Sequence, residues 1–182
     1  EFSAKFALAA RAPHLKAPLI VEAAPGSRAE LDAVARGHEG ASIDAWALVQ
    51  NETSTGVAAP VRRPRDASGA PAAGLTIVDA TSAAGCVAWD PLEADAYYFS
   101  PQKGLGADGG LWIAALSPAA IERAERIATS ARFIPGTLSL HKAILESRKD
   151  QTLNTPAIAT LLLAAEQIDW LNASGGLSWA AA

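Results

Sequence analysis

The sequence predicts an α/β fold, a three-layer sandwich built around a mostly parallel sheet. Three observations carry that expectation. Short apolar runs alternate with helix-patterned stretches through the first two-thirds of the chain. Those runs lack the apolar–polar alternation that marks half-exposed sheet, and polar residues gather where each run stops. Buried parallel strands joined by helices satisfy all three.

Ser3 to Arg11 places Phe6, Ala9 and Ala10 at helical spacing, and Pro13 and Pro18 stop it. Leu19-Ile20-Val21-Glu22 reads as a brief strand. Ser27, with Glu30 three positions later, has the form of a capping box for a helix through about Ala35. Ala45 to Val49 is an apolar strand that runs into Gln50-Asn51-Glu52-Thr53-Ser54-Thr55-Gly56, after which Val57 to Val61 can pair briefly. Arg62 to Gly74 is rich in Arg, Pro, Ala and Gly and reads as an irregular, solvated connection with room for a short helix. Leu75 to Val78 is a strongly apolar strand ending on Asp79. Ala96 to Phe99 is the next, followed by Ser100-Pro101-Gln102-Lys103-Gly104-Leu105-Gly106, and Leu111 to Leu116 is a fifth. Ser117-Pro118 then caps a helix through about Ser130, with proline where its missing donor costs nothing. Helices over Leu138 to Arg148 and Pro156 to Leu171 follow, the second ended by Asn172-Ala173-Ser174-Gly175-Gly176.

With 182 residues and 50% hydrophobic content, the chain can bury one sizeable core. A net charge of -4 supplies no broad positive field, which argues against nucleic acid or an acidic membrane as partner and for a small molecule. A single cysteine, Cys86, excludes an intrachain disulfide framework and fits a reducing compartment, the cytoplasm by default. Cys86 itself reads as a small buried hydrophobe. The apolar stretch from Ala157 to Ala165 is far too short to span a bilayer. The chain contains no methionine and opens inside a helical pattern, so it reads as an internal piece of a longer protein.

In an open α/β sheet, ligands collect beyond the carboxyl ends of the strands, so Thr53, Asp79 and Lys103 can converge on one crevice. A lysine between Gln102 and Gly104 sits on a backbone able to approach a ligand closely. To attack an aldehyde its amine must be partly neutral, and the neighbouring Tyr97-Tyr98-Phe99 run offers apolar walls that would favour this. Asp79, just after Ile77-Val78, is a carboxylate in want of a cation; a protonated pyridine nitrogen satisfies it, and an Asx turn is the plainer alternative. Thr53 offers a hydroxyl to a ring oxygen. Gly104-Leu105-Gly106-Ala107-Asp108-Gly109 formally fits a dinucleotide-binding pattern, but a strand follows where that pattern needs a helix. Its glycines read instead as positive-φ turn residues. His14, His38 and His141 show no metal-ligand spacing, and no metal is expected. The five tryptophans, Trp46, Trp89, Trp112, Trp170 and Trp179, read as core or interface.

Taken together, these segments resemble the phosphoserine aminotransferases, fold-type I pyridoxal-phosphate enzymes of the class V group. Val49-Gln50-Asn51-Glu52-Thr53-Ser54-Thr55-Gly56 is similar to the segment whose threonine bonds the cofactor ring. Val78-Asp79-Ala80-Thr81-Ser82 resembles the strand end carrying the pyridine-nitrogen aspartate. Tyr98 to Gly106 resembles the Schiff-base segment, in which the glutamine before the lysine contacts the phosphate. Leu153-Asn154-Thr155-Pro156 resembles the turn whose asparagine and threonine reach the phosphate of the neighbouring subunit's cofactor. The resemblance implies that residues 1–182 form the pyridoxal-phosphate-binding large domain, with Lys103 catalytic and Thr53, Asp79, Gln102, Asn154 and Thr155 holding the cofactor. It also implies a homodimer, and amino transfer between glutamate and 3-phosphohydroxypyruvate to give phosphoserine and 2-oxoglutarate. The family's upstream phosphate loop, ring-stacking tryptophan and C-terminal domain are not among these residues. Three alternatives stay open: a class V aminotransferase acting on serine, alanine or glyoxylate; a sulfur-transferring lyase, against which Gln102 argues; and a catalytically incompetent piece of the scaffold.

Overall fold

A computed structural model describes residues 1–37 and 42–181; His38 lies outside them. The central sheet has four strands, β1 (Ala45–Val49), β4 (Leu75–Asp79), β5 (Ala96–Phe99) and β6 (Ile113–Leu116), in the order β1-β4-β5-β6. The first three are parallel, with Val49 opposite Asp79 and Asp79 opposite Tyr98, and β6 runs antiparallel to β5. Between β1 and β4 a two-stranded hairpin, β2 (Asn51–Glu52) and β3 (Val57–Ala58), projects from the sheet's end. Its turn closes on two bonds to the Glu52 carbonyl, from the amides of Thr55 at 3.1 Å and Gly56 at 2.8 Å.

The helices are α1 (Phe2–Ala9), α2 (Leu31–Ala35), α3 (Pro118–Ala128), α4 (Leu140–Ser147), α5 (Ile158–Ala173) and α6 (Gly176–Ala180). Proline at the first position of α3 and the Ser117 hydroxyl, which accepts from the Ala120 amide at 3.2 Å, start that helix as expected. Ser139 caps α4 in the same way, accepting from the Lys142 amide at 3.3 Å.

Strand register assigns the layers. Val49, Asp79, Tyr98 and Ala114 share one face. Phe6 of α1 meets Tyr98 edge-on there, and Ile121 of α3 and Ile144 of α4 line a common depression with Ala114 and Leu116. The opposite face carries the core: Val78, Ala80, Ala84, Ala94 and Tyr97 are buried together, with Leu48, Val61, Trp89 and Phe99 packed around them. Trp89 stacks flat on Tyr97 at 3.8 Å. This side is closed by the irregular segments around Val61 and from Ala83 to Ala94. Burial therefore alternates along β4, with Thr76 and Val78 buried and Leu75, Ile77 and Asp79 only partly so.

Four local expectations are corrected. Leu19-Ile20-Val21 forms no strand, because no neighbouring chain pairs with it among the described residues. The capping box is not formed: the Ser27 hydroxyl donates to the Ala24 carbonyl at 2.7 Å, and α2 begins only at Leu31 with no side-chain cap. The Arg62–Gly74 connection has no helix and is pinned through its arginines. Arg62 pairs with Asp32 at 2.8 Å, Arg63 with Asp95 at 2.5 Å and Arg65 with Glu93 at 2.8 Å. Cys86 is exposed rather than buried. Of the tryptophans, Trp46 is core, whereas Trp112 is exposed and Trp170 and Trp179 meet edge-on at the surface.

Candidate active site

Because β1, β4 and β5 are parallel neighbours, their carboxyl ends lie side by side, and each is followed by one of the expected site segments. The β1 end is joined to the β4 end by the Gln50 amide donating to the Asp79 carbonyl at 2.9 Å, and the β4 end to the β5 end by the Ala80 amide donating to the Tyr98 carbonyl at 2.9 Å. Thr53, first in the hairpin turn, is exposed and shares a short hydrogen bond with the Ser82 hydroxyl. Thr53 and the turn after Asp79 are thus in direct contact.

Asp79 is partly buried. One carboxylate oxygen accepts from the Thr81 amide at 2.9 Å, the expected Asx turn, and no cation pairs with the group among the described residues. The other neighbour is Tyr98, directly across the strand pair. Burial first, and then the adjacent Asp79 carboxylate, hold the Tyr98 proton well above the usual phenol range. Asp79 therefore has hydrogen-bond support and no neutralising charge.

Lys103 lies four residues past the end of β5. Pro101, Leu105 and Ala107 are buried and fix the loop, while Gln102, Lys103 and Gly104 are exposed. The Gly106 amide bonds the Lys103 carbonyl at 3.0 Å, and the Ala107 amide bonds the Pro101 carbonyl at 3.1 Å. Gly106 adopts φ 60°, as the turn reading expected, but Gly104 does not. Gly104 is there for close approach: a Cβ on it would lie 2.5 Å from the Ala84 carbonyl oxygen and on the Cys86 sulfur. The loop bearing the lysine is thus pressed against the loop that follows Asp79. The expected aromatic walls are not around Lys103. Tyr97 is in the core, its hydroxyl donating to Gln50 Oε1 at 2.9 Å, and Tyr98 faces Asp79. The Lys103 amine has neither ion pair nor hydrogen bond among the described residues.

Asn154 and Thr155 lie in the connection between α4 and α5 and make no hydrogen bond to this cluster among the described residues. Both are exposed. Only the Asn154 carbonyl is engaged, by the Thr152 hydroxyl at 2.6 Å. The start of α5 is tied to the glycine loop by Thr160, whose hydroxyl donates to the Gly109 carbonyl at 3.1 Å. Ser82, Tyr98 and Glu52 were not among the residues the sequence singled out. Ser82, a hydroxyl three positions past Asp79, was the one with a readable signal.

The sequence profile of the family described as aminotransferase class-V matches residues 20–181. The chain belongs to the class V aminotransferases. It is 53% identical over 178 residues to a phosphoserine aminotransferase of Nocardioides sp., covering 97% of this chain and 46% of that protein. This class V chain thus spans about half the length of the curated relatives it matches. Among solved structures it is similar to a phosphoserine aminotransferase from Cytophaga hutchinsonii, with TM-score 0.64 and 26% identity over 74% of this chain and 37% of that one. It shares its fold with a pyridoxal-phosphate-bound phosphoserine aminotransferase from Trichomonas vaginalis, with TM-score 0.57 and 20% identity over 74% of this chain and 33% of that one. Pyridoxal phosphate is the cofactor of this class V family.

Proposed function

We propose that the whole protein is a phosphoserine aminotransferase, moving an amino group between glutamate and 3-phosphohydroxypyruvate, with pyridoxal phosphate carried on Lys103. The observation that carries this reading is the meeting of three segments at the carboxyl ends of β1, β4 and β5. Their donor set fits the cofactor group by group. Asp79, a carboxylate with no cation, suits a protonated pyridine nitrogen; the Thr53 hydroxyl suits the ring oxygen; the free Lys103 amine suits the aldehyde; and Gln102 beside it suits the phosphate. Residues 1–182 are, on this reading, the cofactor-binding large domain. The name shared by the curated relatives supports the substrate pair.

When bound, pyridoxal phosphate supplies an aldehyde that takes up the amino group and a ring that withdraws electrons from the substrate's Cα. Asp79 would hold a negative charge for the ring nitrogen and so favour its protonated form, and Tyr98 supports that carboxylate. Thr53 would orient the ring. Lys103 would anchor the cofactor, and its amine, when free, would be the base that holds and moves the substrate's Cα proton.

The active form in this reading is a two-fold dimer in which Asn154 and Thr155 reach the neighbouring subunit's cofactor phosphate. Their exposed side chains support this, as do Ile158, Leu162 and Leu163, which α5 leaves exposed beside them. Its compartment is the cytoplasm; among the described residues no helix is long and apolar enough to cross a membrane.

The test is turnover by the full-length protein with glutamate as donor. 3-Phosphohydroxypyruvate should be the preferred acceptor over pyruvate, hydroxypyruvate and glyoxylate. Preference for one of the unphosphorylated acceptors would move the protein to another class V activity.

A further inference from the structure

Helix α1 (Phe2–Ala9) is tied to the hairpin that follows β1. The tie is made by Glu52, fifty residues on from Phe2. Glu52 Oε2 accepts from the Ser3 amide at 2.9 Å and the Ser3 hydroxyl at 2.8 Å, and Oε1 accepts from the Phe2 amide at 3.2 Å. The same Oε1 also accepts from the Ser54 hydroxyl at 2.9 Å and the Ser54 amide at 3.3 Å. One carboxylate therefore grips Phe2 and Ser3 of α1 on one side and the residue after Thr53 on the other. Thr53 lies between the two gripped points. Bonds to a charged carboxylate are the stronger kind of hydrogen bond.

We propose that Glu52 is a positioning residue for the cofactor: it locks the hairpin turn against α1, so that the Thr53 hydroxyl is presented toward the end of β4 beside Ser82. The proposal rests on the reading of Thr53 as a cofactor contact. Glu52 does not itself touch the reacting atoms; it acts through Thr53. Its ionisation agrees with this geometry. Burial works to raise the Glu52 carboxyl, but the amides of Ser3 and Phe2 and the hydroxyls of Ser3 and Ser54 outweigh it and hold the group well below the usual carboxylate range. The charge is thus present throughout the neutral range.

The experiment is a double-mutant cycle on the full-length protein. Glu52→Gln, Thr53→Ala and the double variant are stripped of cofactor, and each is titrated with pyridoxal phosphate while the visible absorbance is followed. Glu52→Gln keeps the volume of the side chain and removes the charge. We expect it to weaken cofactor binding by about ten-fold, the scale of one charge-assisted bond. Because the effect passes through the Thr53 hydroxyl, Thr53→Ala should add little to it. Losses that simply multiply, or cofactor binding unchanged in Glu52→Gln, would overturn the role while leaving the assignment of Thr53 intact. Unchanged binding in Thr53→Ala alone would remove that assignment and this proposal with it. If Glu52→Gln does not fold, Ser54→Ala takes its place in the cycle. That variant leaves the carboxylate where it is and deletes one of its donors, and the same two outcomes decide.

Discussion

Lys103 differs from an ordinary surface lysine in the backbone beneath it. Pro101, Leu105 and Ala107 are buried on either side, and Gly104 fits against Ala84 so closely that no side chain can replace its hydrogen without moving the main chain. The amine is exposed and unpaired among the described residues while its attachment point is fixed, which is what a group that must both anchor and shuttle requires. At the same scale, Asp79 should be replaceable without loss of fold, since it is only partly buried and makes one Asx-turn bond. Asp79→Ala is expected to cost the full-length protein at least about ten-fold in cofactor affinity, the loss of one charge-assisted interaction. A spectrophotometric titration with pyridoxal phosphate measures it, and circular dichroism should show the fold unchanged.

Among the elements, the opposite end of the sheet is held by a buried network whose job is structural. Asp95, 4% exposed, accepts from Arg63 at 2.5 and 2.9 Å, from the Thr76 amide at 2.8 Å and from the Ser117 hydroxyl at 2.8 Å. It joins the start of β4, the cap of α3 and the Arg62–Gly74 connection. Burial pushes its carboxyl up, but Arg63, Thr76 and Ser117 together hold it below the usual carboxylate range. A depressed carboxyl contributes stability above its unfolded pKa, so this contribution is present at neutral pH and is lost as pH falls below the ordinary aspartate range. Asp95→Asn should destabilise the protein by about 3 kcal/mol at neutral pH, measured by urea unfolding, because it strips a partly buried guanidinium of its counter-charge. The gap between variant and wild type should narrow in acid.

The same elements show what was legible in the sequence. The apolar runs of β1, β4 and β5 and the polar residues ending them gave away both the strands and the candidate residues, because a buried strand must be apolar and a ligand must meet its end. The run at Leu19 misled because β-branched residues make a strand only where a partner chain lies alongside. The Ser27 capping box failed for a similar reason: the hydroxyl found a nearer carbonyl at Ala24. Contacts across the sheet, such as Glu52 with α1, Thr53 with Ser82 and Arg63 with Asp95, depend on strand order, which local pattern does not encode. One cover of the sheet was also unreadable. The segments around Val61 and Ala83–Ala94, which hold one 3-10 turn at Pro91–Glu93 and no α-helix, bury the core face, although α-helices were expected there.

For the whole molecule, the dimer reading makes a test independent of any single site. Mixing full-length Lys103→Ala with Asn154→Ala/Thr155→Ala, each inactive alone, should restore about a quarter of wild-type turnover once subunits exchange, because half the dimers are mixed and each of these has one complete site. No recovery on verified exchange would place Asn154 and Thr155 outside the partner's site. The central claim, however, is that Lys103 carries the cofactor. The most direct measurement is borohydride reduction of the full-length protein loaded with pyridoxal phosphate, followed by peptide mass mapping. The account predicts loss of the yellow colour and a stable phosphopyridoxyl mass on the peptide containing Lys103, absent from Lys103→Ala. A label on a different lysine, or colour and turnover surviving in Lys103→Ala, would contradict it.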